Sequence, residues 1–152
     1  MNYFQSFSTL WFMLWMTVSY GQGGDFLTLD SDSPQLIDQE IHLLFHIKPG
    51  YHIQSNQPED DLLIPTELLL EISPTVKVEE AIFPESSLLQ LGDSKLEVFD
   101  GLLLIRIPVI WEPEFNNEKV ELSFILLYQP CDDRKCYFPR KLEELLFLSF
   151  SK

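Results

Sequence analysis

Val120-Glu121-Leu122-Ser123-Phe124-Ile125-Leu126-Leu127-Tyr128 places Val120, Leu122, Phe124, Leu126 and Tyr128 at every second position. A period of two marks a strand with one buried face, because successive side chains on a strand point to opposite sides. Working outward, Ile41, Leu43, Phe45 and Ile47 alternate in the same way with His42, Leu44, His46 and Lys48. Further strands are predicted over Phe26–Leu29, Glu67–Ile72, Val76–Phe83, Leu96–Phe99 and Leu102–Ile110, punctuated by Pro49-Gly50, Asp100-Gly101 and scattered prolines. The tail from Lys141 to Phe150 admits a helix through Leu142, Leu145, Leu146 and Ser149, yet Leu146, Leu148 and Phe150 alternate, and a closing strand suits an otherwise all-β chain. Antiparallel strands in a chain of this size predict an all-β, immunoglobulin-like two-sheet sandwich, with a small barrel as the alternative. The segments Gln54–Pro65, Ser86–Lys95 and Pro113–Glu118 read as the long loops.

The chain has 152 residues, enough for one ordinary domain. It carries 24 acidic against 10 basic side chains, a formal charge of -14. Binding a phosphate backbone needs Lys and Arg to displace counterions, so this balance argues against nucleic acid and against an anionic membrane surface. The apolar content is too high for a disordered acidic tail, which puts the negative charge on the outside of a folded core.

The first 24 residues hold no charged side chain, and Phe7 to Val18 forms a short apolar run followed by Ser19-Tyr20-Gly21. This reads as a signal peptide over residues 1–21, cleaved ahead of Gln22, with the domain over residues 22–152 exported. An uncleaved N-terminal anchor is the alternative, because the leader lacks Lys and Arg. Nothing after Gly21 is apolar for long enough to form a transmembrane helix.

Gly-rich phosphate loops, nucleophile elbows and His-Glu-x-x-His are absent. His42 and His46 are four positions apart, which on a strand is roughly 13 Å, too far to share a metal. They read as imidazoles on a solvated face. Glu59-Asp60-Asp61 lacks the spaced ligands of a calcium loop and reads as a solvated acidic turn. No metal and no cofactor is expected.

What remains is Cys131-Asp132-Asp133-Arg134-Lys135-Cys136, which holds the two cysteines of the chain. In an exported chain they pair with each other or with a partner. A six-residue ring contributes only about 2 kcal/mol in the chain-entropy model, so the bridge is poorly placed as a stabiliser and better placed to be opened and closed. Asp132 and Asp133 balance Arg134 and Lys135, so charge alone does not predict a strongly depressed thiol pKa. A redox pair and a structural hairpin disulfide both fit these residues, and two thiolates are too few for a zinc site.

The stretch from Tyr128-Gln129-Pro130-Cys131 to Cys136-Tyr137-Phe138-Pro139 resembles the redox segment of the N-terminal periplasmic domain of the thiol:disulfide interchange protein DsbD. Lys48 to Asn56 resembles that family's Gly-aromatic segment, and Phe99-Asp100-Gly101 to Pro108-Val109 its strand entering the cysteine hairpin. The similarity covers roughly residues 39–150. It implies an immunoglobulin-like fold with the cysteine pair at one end, and an electron relay of protein-disulfide reductase type. The implied donor is a thioredoxin-like or membrane redox protein, and the implied acceptors are envelope disulfide proteins in the periplasm. Cys136 matches the cysteine that forms mixed disulfides and Cys131 the resolving one. Tyr51, His52, Tyr137 and Phe138 are the implied site neighbours. The family's aromatic cap loop falls near Leu88-Leu89-Gln90-Leu91-Gly92, so Leu88, Leu89 and Leu91 are the cap candidates here. The chain ends at Lys152 without a membrane or thioredoxin-like segment, which implies a donor on a separate protein or a repurposed copy. The rival reading is a non-catalytic, protein-binding sandwich with a structural disulfide.

Overall fold

The computed structural model describes residues 26–74, 76–110 and 119–149. The expected leader, the Pro113–Glu118 loop and Phe150 lie outside the described residues. Along the chain run β1 (Leu27–Leu29), β2 (Gln35–Ile37), β3 (Glu40–Ile47), β4 (His52–Gln54), β5 (Glu67–Ile72), β6 (Lys77–Val78), β7 (Ser87–Leu91), β8 (Ser94–Phe99), β9 (Leu102–Ile110), β10 (Lys119–Tyr128), β11 (Pro130–Cys131) and β12 (Arg140–Ser149). Every pairing between them is antiparallel.

One sheet has the order β1-β3-β9-β6 with β2 added on β3; a second has the order β12-β10-β5. Taking β1, β3, β5, β6, β9, β10 and β12 as the seven framework strands, the first sheet holds the first, second, fifth and fourth, and the second holds the third, sixth and seventh. That partition is the immunoglobulin constant-type arrangement. The expected all-β sandwich is therefore the observed one.

The alternation seen in the sequence decides which face is inside. Ile41, Leu43 and Phe45 on β3 stand opposite Ile107, Ile105 and Leu103 on β9, and all six are buried. From the other sheet Val120, Leu122, Phe124 and Leu126 of β10 and Leu148 of β12 close the core. Phe45 and Phe124 meet edge to face across the two sheets, with centroids 5.7 Å apart. The strand reading of the tail holds: β12 pairs with β10 from Lys119↔Ser149 to Tyr128↔Arg140.

A third sheet, β11-β4-β8-β7, is built on this frame and carries the cysteine segment. Here the sequence reading needs correction. Ser86–Lys95 is not a loop but the hairpin of β7 and β8, closed by a two-residue turn at Gly92-Asp93. Gly92 takes φ +61°, a conformation that a residue with a Cβ adopts at a cost. Val76–Phe83 shrinks to the two residues of β6 plus an isolated bridge at Ile82↔Arg106, because the exposed pair Glu79-Glu80 interrupts the apolar pattern. On β3, His42 and His46 each meet a carboxylate. The first contacts Glu40 at 3.2 Å and the second Asp30 at 2.6 Å.

Candidate functional site

Tyr128 ends the longest pairing of the second sheet, and Pro130–Cys131 immediately joins the third by pairing with Ile53 and His52 of β4. The chain then turns through Asp132–Lys135 and returns with Cys136 opposite Cys131. The Asp132 N–H donates to the Lys135 carbonyl (2.9 Å) and the Tyr137 N–H to the Pro130 carbonyl (2.7 Å), so the backbone closes the turn by itself. Cys131 and Cys136 are joined as a disulfide, with their Cα atoms 3.9 Å apart.

Side chains in the turn reinforce it. Asp132 Oδ1 accepts from the N–H groups of Arg134 and Lys135 at 2.8 and 2.9 Å, and the Tyr137 hydroxyl donates to Asp132 Oδ2 at 2.7 Å. The Tyr137 hydrogen bond first, then the two backbone donors, hold the Asp132 carboxyl down at about 2. The same bond, aided by burial, pushes the Tyr137 phenol up to about 12. Carboxylate and phenol thus keep their mutual hydrogen bond across the whole range in which thiols exchange. Tyr137 also packs on Phe26 and Tyr51, with centroids at 5.2 and 6.1 Å, and carries Lys135 Nζ 4.8 Å above its ring.

The two sulfurs differ in access. Cys131 is fully buried, whereas Cys136 is half-buried and opens on two grooves. One groove runs past Leu63, Leu91 and the acidic Glu59-Asp60-Asp61 turn; the other past Gln129, Tyr137 and Phe138. Phe138 is 86% exposed, an apolar ring held in water beside the accessible sulfur. A separate apolar depression on the outer face of β5, β10 and β12 contains neither cysteine.

The four proposed neighbours all lie around the pair. Tyr51 packs on Tyr137, His52 pairs with Cys131 across β4 and β11, Tyr137 clamps Asp132, and Phe138 flanks Cys136. His52 is the first residue of β4, with Nε2 3.6 Å from Asp133 Oδ1. The three leucines of the expected cap separate. Leu91 lines the groove at Cys136, Leu89 shares its strand face, and Leu88 points the other way and is 70% exposed.

Two glutamines that the sequence reading passed over organise the site. Gln129 Oε1 accepts from the Ile64 N–H and its Nε2 donates to the Tyr137 carbonyl, both at 3.1 Å, which ties the loop after β4 to the cysteine turn. Gln54 is completely buried, and its Nε2 lies 3.2 Å from Cys131 Sγ and 3.5 Å from Cys136 Sγ. The available signal was position: Gln54 falls within Lys48–Asn56, the segment that resembles the redox family.

No protein-family model matches the chain, and no curated protein matches it. Among solved structures it is similar to the N-terminal domain of Neisseria meningitidis DsbD in the reduced form, at 15% identity over 77% of this chain and 82% of that one, TM-score 0.46. It is similar to the N-terminal periplasmic domain of ScsB from Proteus mirabilis at 18% identity over 80% of this chain, TM-score 0.47, and spans 44% of that chain. A third is the complex between the DsbD N-terminal and PilB N-terminal domains from Neisseria meningitidis, at 16% identity over 72% of this chain and 76% of that one, TM-score 0.45. These three solved structures contain DsbD or ScsB N-terminal domains.

Proposed function

We propose that this chain is an exported thiol:disulfide exchange module, in which Cys136 meets the partner sulfur and Cys131 resolves the mixed disulfide. The observation that carries the reading is the asymmetry of the bridge: one sulfur opens on grooves, the other is buried against a buried amide. Exchange needs one sulfur that a partner thiolate can reach and a second, held close, to displace the partner again. The uncharged leader supports an exported location, where such a bridge persists. A thioredoxin-like or membrane redox protein as donor, and envelope disulfide proteins as acceptors, are the partner classes that the sequence resemblance implies.

Titration of the pair in glutathione or dithiothreitol buffers tests the proposal. A relay disulfide equilibrates well above the roughly -300 mV below which structural disulfides lie. A potential beneath that value would favour the rival, a protein-binding sandwich with a structural bridge.

The cap belongs to the same proposal, narrowed to Leu91 with Leu89 behind it. Leu91 lines the groove on which Cys136 opens, and Leu89 shares its strand face. Leu91→Ser is expected to speed alkylation of the reduced Cys136 thiol, while Leu88→Ser leaves it unchanged. Equal rates in both variants and the parent chain would remove the capping role.

A further inference from the structure

Among the described residues, two buried side-chain atoms stand without a hydrogen-bond partner: Gln54 Oε1 and His52 Nδ1. Both belong to β4, two positions apart and therefore on one face, and His52 pairs directly with Cys131. The unsatisfied acceptor of Gln54 thus lies at the disulfide and not scattered in the core. A buried acceptor left unmet is costly and calls for a reason.

The chemistry of the pair supplies one. A disulfide has no proton to donate, so in the oxidised form only the N–H end of the Gln54 amide finds a partner, at the two sulfurs. A reduced pair holds an S–H donor and, once ionised, a thiolate acceptor. An amide can serve both at once, the N–H to the thiolate and the carbonyl to the thiol, because rotation about its last torsion carries either end over either sulfur.

We propose that Gln54 is a functional residue of the exchange reaction, whose amide binds the half-ionised dithiol of Cys131 and Cys136 and so favours the reduced form. This rests on the exchange reading given above. In the forward step a thiolate of a partner protein dithiol attacks Cys136 Sγ. The bond between that sulfur and Cys136 forms, the Cys131–Cys136 bond breaks, and the electron pair leaves on Cys131 as a thiolate. The Gln54 Nε2–H, already 3.2 Å away, receives that buried charge. The partner's second thiol then loses its proton to solvent and attacks its own bound sulfur, and Cys136 departs and is protonated. The partner leaves as a disulfide, two electrons stay on this chain, and the new Cys136 S–H meets Gln54 Oε1.

The test replaces Gln54 in the otherwise intact chain by Met, which has similar length but no donor and only a weak thioether acceptor, and separately by Leu, which has neither. The equilibrium against dithiothreitol is measured, together with thiolate absorbance as a function of pH. Gln54→Met is expected to shift the equilibrium at least tenfold toward the disulfide, about 30 mV for a two-electron couple. It should also move the onset of thiolate absorbance to higher pH. Loss of packing alone would lower stability without moving either reading, and Gln54→Leu carries the test if the Met variant does not fold. Variants that fold with equilibrium and thiolate onset unchanged from the parent overturn the role of Gln54. A parent chain whose pair resists reduction altogether overturns the exchange reading instead.

Discussion

Cys131→Ala is expected to accumulate a covalent, reducible adduct through Cys136 with a thioredoxin-like protein, at a yield on the order of tenfold or more above Cys136→Ala. Access decides the difference. With Cys131 removed, the remaining thiol is the half-buried Cys136, flanked by Phe138 and open to two grooves, and no neighbouring thiol can release a captured partner. With Cys136 removed, the remaining thiol is fully buried. Sequence neighbours alone point weakly to the same assignment, with the Lys135 cation beside Cys136 and the Asp132 anion beside Cys131. The geometry weakens that argument and replaces it: Asp132 turns its oxygens to the loop N–H groups and to Tyr137, and Lys135 lies over the Tyr137 ring. Equal trapping by the two variants, read on a non-reducing gel and by mass, would remove the roles. No adduct with either would favour the structural bridge.

Phe124→Ala is expected to lower the free energy of unfolding by about 3–5 kcal/mol, a large share of the roughly 5–15 kcal/mol that holds a domain folded. Phe124 is buried at the junction of the two sheets and meets Phe45 edge to face, so truncation leaves a cavity that rigid strands on both sides fill poorly. Leu69→Ala, on the outward face of β5 and 52% exposed, is the matched control and should cost less than about 1 kcal/mol. Urea denaturation with unchanged slope measures both. A larger loss at Leu69 than at Phe124 would mean that the inner and outer faces of this sheet are assigned backwards.

Most of the framework was legible because β3, β5, β9, β10 and β12 are long. β5 and β9 span the very residues predicted for them, and β3, β10 and β12 begin within one position of the expected starts. The third sheet was harder to see. Its strands β4 and β11 have three and two residues, too few to show a period, and Leu88-Leu89-Gln90-Leu91 breaks alternation with adjacent leucines. Ser86–Lys95 therefore read as a loop. The cysteine pair was legible from its count and its expected export, but its most intimate contact was not. Gln54 precedes Cys131 by 77 residues, and a glutamine within a three-residue strand gives no local sign of burial. Only the long-range pairing of β4 with β8 and β11 closes over it.

The cysteine turn is closed by backbone hydrogen bonds at Asp132 and Tyr137 and continues into the ladder between β10 and β12, so the sulfur bridge spans a gap that is already shut. Folding and electron transfer form one thermodynamic cycle: the two redox forms differ in stability by as much as the folded pair and the unfolded chain differ in their hold on two electrons. A bridge across a turn that the backbone also closes is expected to leave little of that difference to chain ordering, and most of it to the few groups touching the sulfurs. Under the proposed exchange reaction, the chain is expected to be reduced and reoxidised at nearly constant shape.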